Sequence, residues 1–344
     1  MDYIRGLEAY QDSREAAITL GKFDGVHRGH QKLIKKVCQL KAKKGVRSVV
    51  FAFDMNPLYE KLGKSREGIM SNEERRCLLD GKVDVLLECP FSEDVTSMSA
   101  EDFIRKILIE KIHARYIVIG TDFHFGHDKR GDAKMLAEYA DVYGYELFVI
   151  EKEMYGKREI SSSYVREELR KGNMEAVNDM LGYAYTVRGK VEHGRQLGRK
   201  LGFPTLNVHP SRDKLLPPNG VYLDSVRIDG IWYNGIGNVG FKPTVSDENR
   251  MLIESNLLDY SGDAYGKEVE IQLYHFKRPE QKFESVEMMK AQIDQDIAYA
   301  KAFLTGFGAY GTLGKYEKPM FGRWNLQPLL NIRQLTVYLG GSDK

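Results

Sequence analysis

The sequence predicts a doubly wound α/β domain followed by a small antiparallel β-barrel that a C-terminal helix closes. Three observations carry that expectation. Up to residue 150, short β-branched runs alternate with amphipathic stretches, the pattern of βαβ units around a parallel sheet. After residue 184 the texture changes to short strands punctuated by Gly, Pro and Asn, as in small barrels. Last, Val286, Met289, Ile293, Ile297, Ala300 and Phe303 recur at helical spacing.

The elements follow in order. Runs at 17–20, 48–53, 83–87, 116–119 and 146–150 read as strands buried on both faces. Leu33, Ile34, Val37 and Leu40 form a helical stripe that ends at Gly45, and Ser99 with Asp102 forms a capping box ahead of Phe103, Ile104, Ile107 and Leu108. A third helix is expected over 133–143, and two more from Ser162 and Asn173. In the second half, 220–228 and 231–236 flank Asp229-Gly230, a strong hairpin signal, and further strands are expected at 185–191, 251–258 and 269–276. The expected division is therefore 1–184, 185–305, and a tail over 306–344 to which no fold is assigned.

With 344 residues the chain exceeds what a single core of ~250 residues organises, which agrees with two domains. A net charge of +2 leaves no whole-molecule field for a nucleic-acid or membrane partner, so an anionic ligand has to be held by local groups. Three cysteines without CxxC spacing suit free thiols rather than a disulfide or zinc site, and no 18-residue apolar run is present. The expectation is a soluble, cytoplasmic protein, either a monomer or a weak homo-oligomer, whose partners are small molecules.

The first chemical signal is GKFDGVHRGH over residues 21–30. It leaves a strand, turns on glycines and enters a helix, so backbone amides and the helix dipole face an incoming phosphate. Gly21, Phe23, Asp24 and Gly25 build the turn, and His27 and His30 add side-chain donors suited to charge developing on a phosphate. A lone histidine here would be a cap or a surface residue; the pair favours a site. Ser162, Ser163 and Arg166 offer a capped helix N-terminus with an arginine one turn in. In the second half, GRQLGRKLGFPTLN over 194–207 brings glycines together with basic residues, including Gly194, Arg195, Gly198 and Lys200, a loop that either approaches phosphates or is simply a basic surface.

GKFDGVHRGH resembles the HxGH signature of nucleotidyltransferases, in the form found in bacterial bifunctional riboflavin kinase/FMN adenylyltransferases. IGTDFHFG at 119–126 followed by Gly131-Asp132, and ISSSYVR at 160–166, resemble that family's GxDFxFG…GD and ISSTxIR elements. The stretch 194–207 resembles the kinase segment GxGRxLGFPTAN. The resemblance covers about residues 15–303 and implies a Rossmann-like nucleotidyltransferase domain and a riboflavin kinase-like barrel. It implies two reactions with ATP and Mg²⁺: riboflavin to FMN, then FMN to FAD and pyrophosphate.

By the same resemblance, Asp122, Phe123, Phe125 and Gly126 lie near the flavin, and Thr205 and Asn207 hold Mg²⁺ and ATP phosphate. Glu254 is then the base for the ribityl hydroxyl; by strand alternation alone it is equally a solvated glutamate. One departure stands out. Met55 and Asn56 replace the Pro-His of a TFxPHP segment, which puts Asn56 at the flavin site and leaves open a weakened adenylyltransferase. A flavin-binding regulatory module without catalysis is the reading from another class.

Overall fold

The computed structural model describes residues 1–194, 202–243 and 249–308. Arg195, Gly198 and Lys200 lie outside the described residues, as does the expected tail from 309 onward. The chain divides into two compact units, Met1–Arg170 with Pro210–Pro217, and Lys171–His209 with the chain from Pro218. The division falls at Arg170, ahead of the sequence-expected 184, because the helix Met174–Leu181 belongs with the barrel. Its Asn178 Nδ2 donates to the carbonyl of Leu273 at 3.0 Å, and Asn178 Oδ1 accepts from the amide of Tyr185 at 2.7 Å.

The first unit is built on a six-stranded sheet, all of whose pairs are parallel. Its strands are β1 (Asp2–Arg5), β2 (Ala16–Gly21), β3 (Arg47–Asp54), β4 (Val85–Pro90), β5 (Ala114–Gly120) and β6 (Glu146–Ile150), in the order β1-β4-β3-β2-β5-β6. Strand alternation divides the core between the two faces. Ala17 and Val118 meet Leu33, Val37 and Leu40 of the helix Arg28–Lys44, while Ile18, Leu20, Val49 and Phe51 meet Phe103, Ile104 and Leu108 on the other side. β1 was not expected: four residues on an edge, mostly exposed, carry no apolar run to announce a strand.

The helical stretch after Ser99 runs as Ala100–Asp102 and then, with i→i+5 bonding, as Phe103–Lys111. Ser99 Oγ caps it by accepting from the amide of Asp102 at 3.0 Å. A reciprocal box joins Ser71 and Glu74 instead, at the start of the helix Asn72–Leu79. A two-stranded ribbon of β7 (Met154–Tyr155) and β8 (Arg158–Glu159) precedes the helix Ser162–Lys171.

The second unit is a closed antiparallel barrel. Its strands β9 (Tyr185–Glu192), β10 (Thr205–Val208), β11 (Gly220–Ile228), β12 (Ile231–Pro243), β13 (Asn249–Leu257) and β14 (Glu268–Pro279) run in the order β10-β13-β12-β11-β14-β9, and β9 pairs β10 to close it. Asp229 and Gly230 turn β11 into β12 with φ of 51° and 86°, the positive pair a two-residue hairpin needs. Tyr222, Asp224 and Val226 face inward with Ile253 and Ser255, all fully buried. Val221, Leu223 and Ile236 face outward under Ile297, Ala300 and Phe303 of the helix Val286–Gly308.

Asp224 is the exception in this interior. A Cβ added at Gly235 or Gly237 would lie 2.4 Å from its carboxyl oxygens, so both neighbours must be glycine for the carboxyl to fit. Burial pushes its pKa up to about 7, against which the Ser255 hydroxyl offsets only part. The folded-state pKa lies above the unfolded value, so the cost of this carboxyl is absent below pH ~4 and grows as pH rises through 7. Asp224→Asn should therefore raise the melting temperature at pH 8, by a difference on the order of 3 kcal/mol in stability, and give no such gain at pH 4. Melts followed by circular dichroism at the two pH values check this.

Candidate active sites

In the first unit the sheet order does what the sequence could not show directly. β3 and β5 flank β2 on opposite sides, so the chain reverses direction across the sheet at β2, and ligands of such sheets bind outside the carboxyl ends at that point. Residues 21–30 leave β2, residues 120–126 leave β5 and Asn56 follows β3, which brings three expected segments to one sheet edge.

The turn after β2 is strained at two side-chain-bearing residues, Phe23 with φ 47° and Val26 with φ 36°. It delivers His27 as the N-cap of the helix Arg28–Lys44, where Nδ1 accepts from the amide of His30 at 3.4 Å. That bond assigns the proton of a neutral His27 to Nε2. The two rings stack 3.7 Å apart, and Phe23 packs 5.0 Å from His30. Burial, then the neighbouring His30, holds His27 well below the usual imidazole range, and burial with the charge of Arg75 pushes His30 down to about 3. Both rings are therefore neutral near pH 7 and carry no charge into the site.

Asp24 is the hub of the site. Its Oδ1 accepts from the amides of Ile69 at 3.0 Å and Met70 at 3.3 Å and from Arg66 Nη2 at 3.3 Å; its Oδ2 pairs with Arg166 Nη2 at 2.5 Å. Arg66 reaches on to Asn56 Oδ1 at 3.3 Å, which ties the residue in place of the family's histidine to the same cluster. Lys22 stands in the field of this group: desolvation, Lys129 and Arg166 lower its pKa against the pull of Asp24. Sequence reasoning missed Arg66, which sits in an aperiodic polar loop. It also missed Arg75, fully buried, which binds the Lys22 carbonyl at 3.2 Å and pairs with Glu88.

The serines correct one expectation. Ser161, not Ser162 or Ser163, caps the helix, its Oγ accepting from the amide of Tyr164 at 3.2 Å. Ser162 Oγ is engaged elsewhere, donating to the carbonyl of Asp24 at 2.9 Å, and Ser163 is exposed. At the end of β5, Asp122 meets Lys152 at 3.0 Å, and Phe123 stacks on Phe125 at 5.6 Å. Phe125 is buried against Phe103, which leaves Phe123 the more accessible ring of the pair.

In the barrel, register brings the expected kinase residues together. Residues paired across antiparallel strands share a face, and Glu254 of β13 lies opposite Asn207 of β10 on one side and Asn238 of β12 on the other, while Thr205 lies opposite Asn256. Thr205, Asn207, Asn238, Glu254 and Asn256 therefore line one outward face, continuous with the apolar patch under the helix Val286–Gly308. A Cβ at Gly194 would lie 2.5 Å from Asn207 Nδ2, so the absence of a side chain lets the backbone at 194 approach Asn207 this closely. Among the described residues no group of three His, Cys, Asp or Glu forms a metal cluster.

Comparison with known proteins places these sites in context. The FAD synthetase model matches residues 9–164 and the riboflavin kinase model residues 181–304. A bifunctional riboflavin kinase/FMN adenylyltransferase from Listeria monocytogenes is 35% identical over 293 residues, covering 83% of this chain and 91% of that protein. The chain belongs to the bifunctional riboflavin kinase/FMN adenylyltransferase family. Proteins of the same name from Pseudomonas fluorescens and Escherichia coli are 33% and 32% identical, each covering 88% of this chain and 97% and 98% of their own length.

Among solved structures, one titled macrolide-efflux protein from Streptococcus pneumoniae matches with a TM-score of 0.79 at 28% identity, over 87% of this chain and 98% of that one. Among the described residues no helix is long and apolar enough to cross a membrane. As in the family, this chain carries both domains, and so both activities: riboflavin kinase and FMN adenylyltransferase.

The depressed pKa of His30 has a consequence for stability. Unfolded histidine binds a proton near pH 6.5 that the folded state refuses until about pH 3, so stability is full above 6.5 and falls as pH drops through that window. His30→Asn should lose less melting temperature than the wild type between pH 7 and pH 5, measured by circular dichroism.

Proposed function

We propose that the two activities are divided between the two constellations: the sheet edge of the first unit transfers the adenylyl group and the outward barrel face of the second phosphorylates riboflavin. The observation that carries this reading is that each unit gathers its own polar set from separate segments, around Asp24 in one and around Glu254 in the other.

In the first step the ribityl 5′-hydroxyl of riboflavin loses its proton to Glu254 and its oxygen attacks the γ-phosphate of ATP, releasing ADP. Thr205 and Asn207 are two neutral oxygen donors on one face of β10, which fits Mg²⁺, a cation that takes few protein ligands and completes its shell with water and phosphate. Bound there with ATP, the cation would neutralise phosphate charge. Gly194 lets backbone come close to the same place.

In the second step a phosphate oxygen of FMN attacks the α-phosphate of ATP, the α–β bridging bond breaks, and pyrophosphate leaves with the electron pair. Positioning and electrostatics accelerate such transfers, so neutral donors and fixed cations suffice and no covalent intermediate is needed. His27 offers an Nε2 proton, and His30 Nδ1 is buried without a hydrogen-bond partner among the described residues. The amides at the start of the helix Arg28–Lys44, with Lys22, Arg66 and Arg166, balance the phosphate charge. Phe123, with Asp122, Gly126 and Asn56, is proposed to receive the flavin, and Phe125 supports Phe123 from behind. We also take the enzyme to be cytoplasmic, acting on small molecules as a monomer or weak homo-oligomer.

Chromatography of the products from riboflavin, ATP and Mg²⁺ tests the proposal. FMN and then FAD are expected; FMN accumulating without FAD under excess ATP would favour the altered adenylyltransferase. Asn207→Ala should abolish phosphorylation alone and His30→Ala adenylylation alone, each by about 10²-fold or more. A single substitution that removed both steps in folded protein would overturn the division.

A further inference from the structure

Between β10 and β11 the chain passes through the first unit: residues Pro210–Pro217 belong there, although they lie inside the stretch that matches the riboflavin kinase model. Their hold on that unit is specific. The amide of Gly68 donates to the carbonyl of Asp213 at 2.6 Å, the amide of Leu215 donates to the carbonyl of Gly68 at 2.8 Å, and Lys214 and Gly68 are joined as a parallel bridge. The Lys214 side chain is buried, its Nζ donating to the carbonyl of Ile69 at 2.9 Å and to Glu74 Oε2 at 2.7 Å. Glu74 also closes the box with Ser71, accepting from its amide at 2.8 Å.

The segment gripped in this way carries the groups that organise the first site. Ile69 and Met70 turn their amides to Asp24, and Arg66, two residues before Gly68, bonds both Asp24 and Asn56. Residues 62–68 form no helix and Glu67 has φ 48°; besides the bonds to residues 210–217, Arg166 Nε donates to the Glu67 carbonyl at 3.1 Å and Arg170 Nη2 pairs with the Glu67 carboxylate at 2.5 Å. A buried ion pair is a poor source of net stability, because desolvation offsets the attraction, but one partner fixed at one depth selects one arrangement of the backbone it binds.

We propose that residues 210–217 are a positioning strap for the adenylyltransferase site, in which Lys214 sets the amides of Ile69 and Met70, and through them Asp24, Arg66 and Arg166, at the geometry that receives the nucleotide phosphates. The proposal rests on the adenylyltransferase reading of the first unit. Lys214 is a positioning residue: it acts through the carbonyl of Ile69 and the carboxylate of Glu74, not on substrate.

The test uses the full chain as wild type, Lys214→Met and Lys214→Arg, with steady-state FMN adenylylation and riboflavin phosphorylation measured on each preparation and amide hydrogen exchange followed over residues 66–74. Lys214→Met should raise the KM for ATP in adenylylation by about tenfold, leave phosphorylation within about twofold, and speed exchange at Ile69 and Met70; Lys214→Arg should restore most of the loss. A fall in kcat with KM unchanged, the mark of a lost folded fraction, or a parallel fall in both activities, overturns the strap. So does unchanged exchange, whatever the kinetics. Wild-type protein that makes FMN but no FAD would instead sink the adenylyltransferase reading. Should Lys214→Met fail to fold, Leu215→Pro, which removes one strap hydrogen bond and no charge, must shift KM and exchange in the same direction, and unchanged values overturn the proposal.

Discussion

The first site depends on a single buried carboxylate. Asp24 sits in a turn whose backbone is strained at Phe23 and Val26, and a carboxyl group removed from water there has to find donors or raise the energy of the fold. It finds four: the amides of Ile69 and Met70, and the guanidinium groups of Arg66 and Arg166. Each comes from a segment far away in the chain, so satisfying one residue draws the loop before the helix Asn72–Leu79 and the helix Ser162–Lys171 onto the end of β2. Two arginines held by one carboxylate leave positive charge for a ligand that carries more negative charge than Asp24 alone.

The same economy governs the histidines. Stacked at the helix start and shielded from water, they stay neutral, and the amide of His30 on His27 Nδ1 decides which nitrogen carries the proton. Two charged imidazoles at this separation would repel each other and pay for desolvation. The positive potential therefore resides in arginine, lysine and backbone amides, not in the histidines.

In the barrel the governing constraint is strand alternation in a closed sheet. An inward residue has nowhere to find water, and an outward one is either covered by the C-terminal helix or lies beyond it. Leu223 and Ile236 fall under that helix, and Asn207, Asn238 and Glu254 continue along the same face beyond it. Asp224 breaks the rule on the inward side, at the cost of two glycines and a raised pKa.

Periodicity and turn chemistry were enough to read the parallel strands, the helices they alternate with, the Asp229-Gly230 hairpin and the change of architecture after 184, because those signals are local and repeat within a few residues. The glycine-rich turn with His27 and His30, and the family likeness, were legible for the same reason: the residues are contiguous. What the sequence left open were facts of contact between distant segments. Arg66 and Arg75 stand in stretches without period, Ser161 displaces Ser162 as the cap because Ser162 is drawn to Asp24, β1 is too short and too exposed to show, and Pro210–Pro217 leaves the barrel for the first unit. Local sequence determined which elements form and which residues carry chemistry. Only the tertiary structure decided which of those residues meet, since burying Asp24 and Lys214 requires partners that chain order does not reveal.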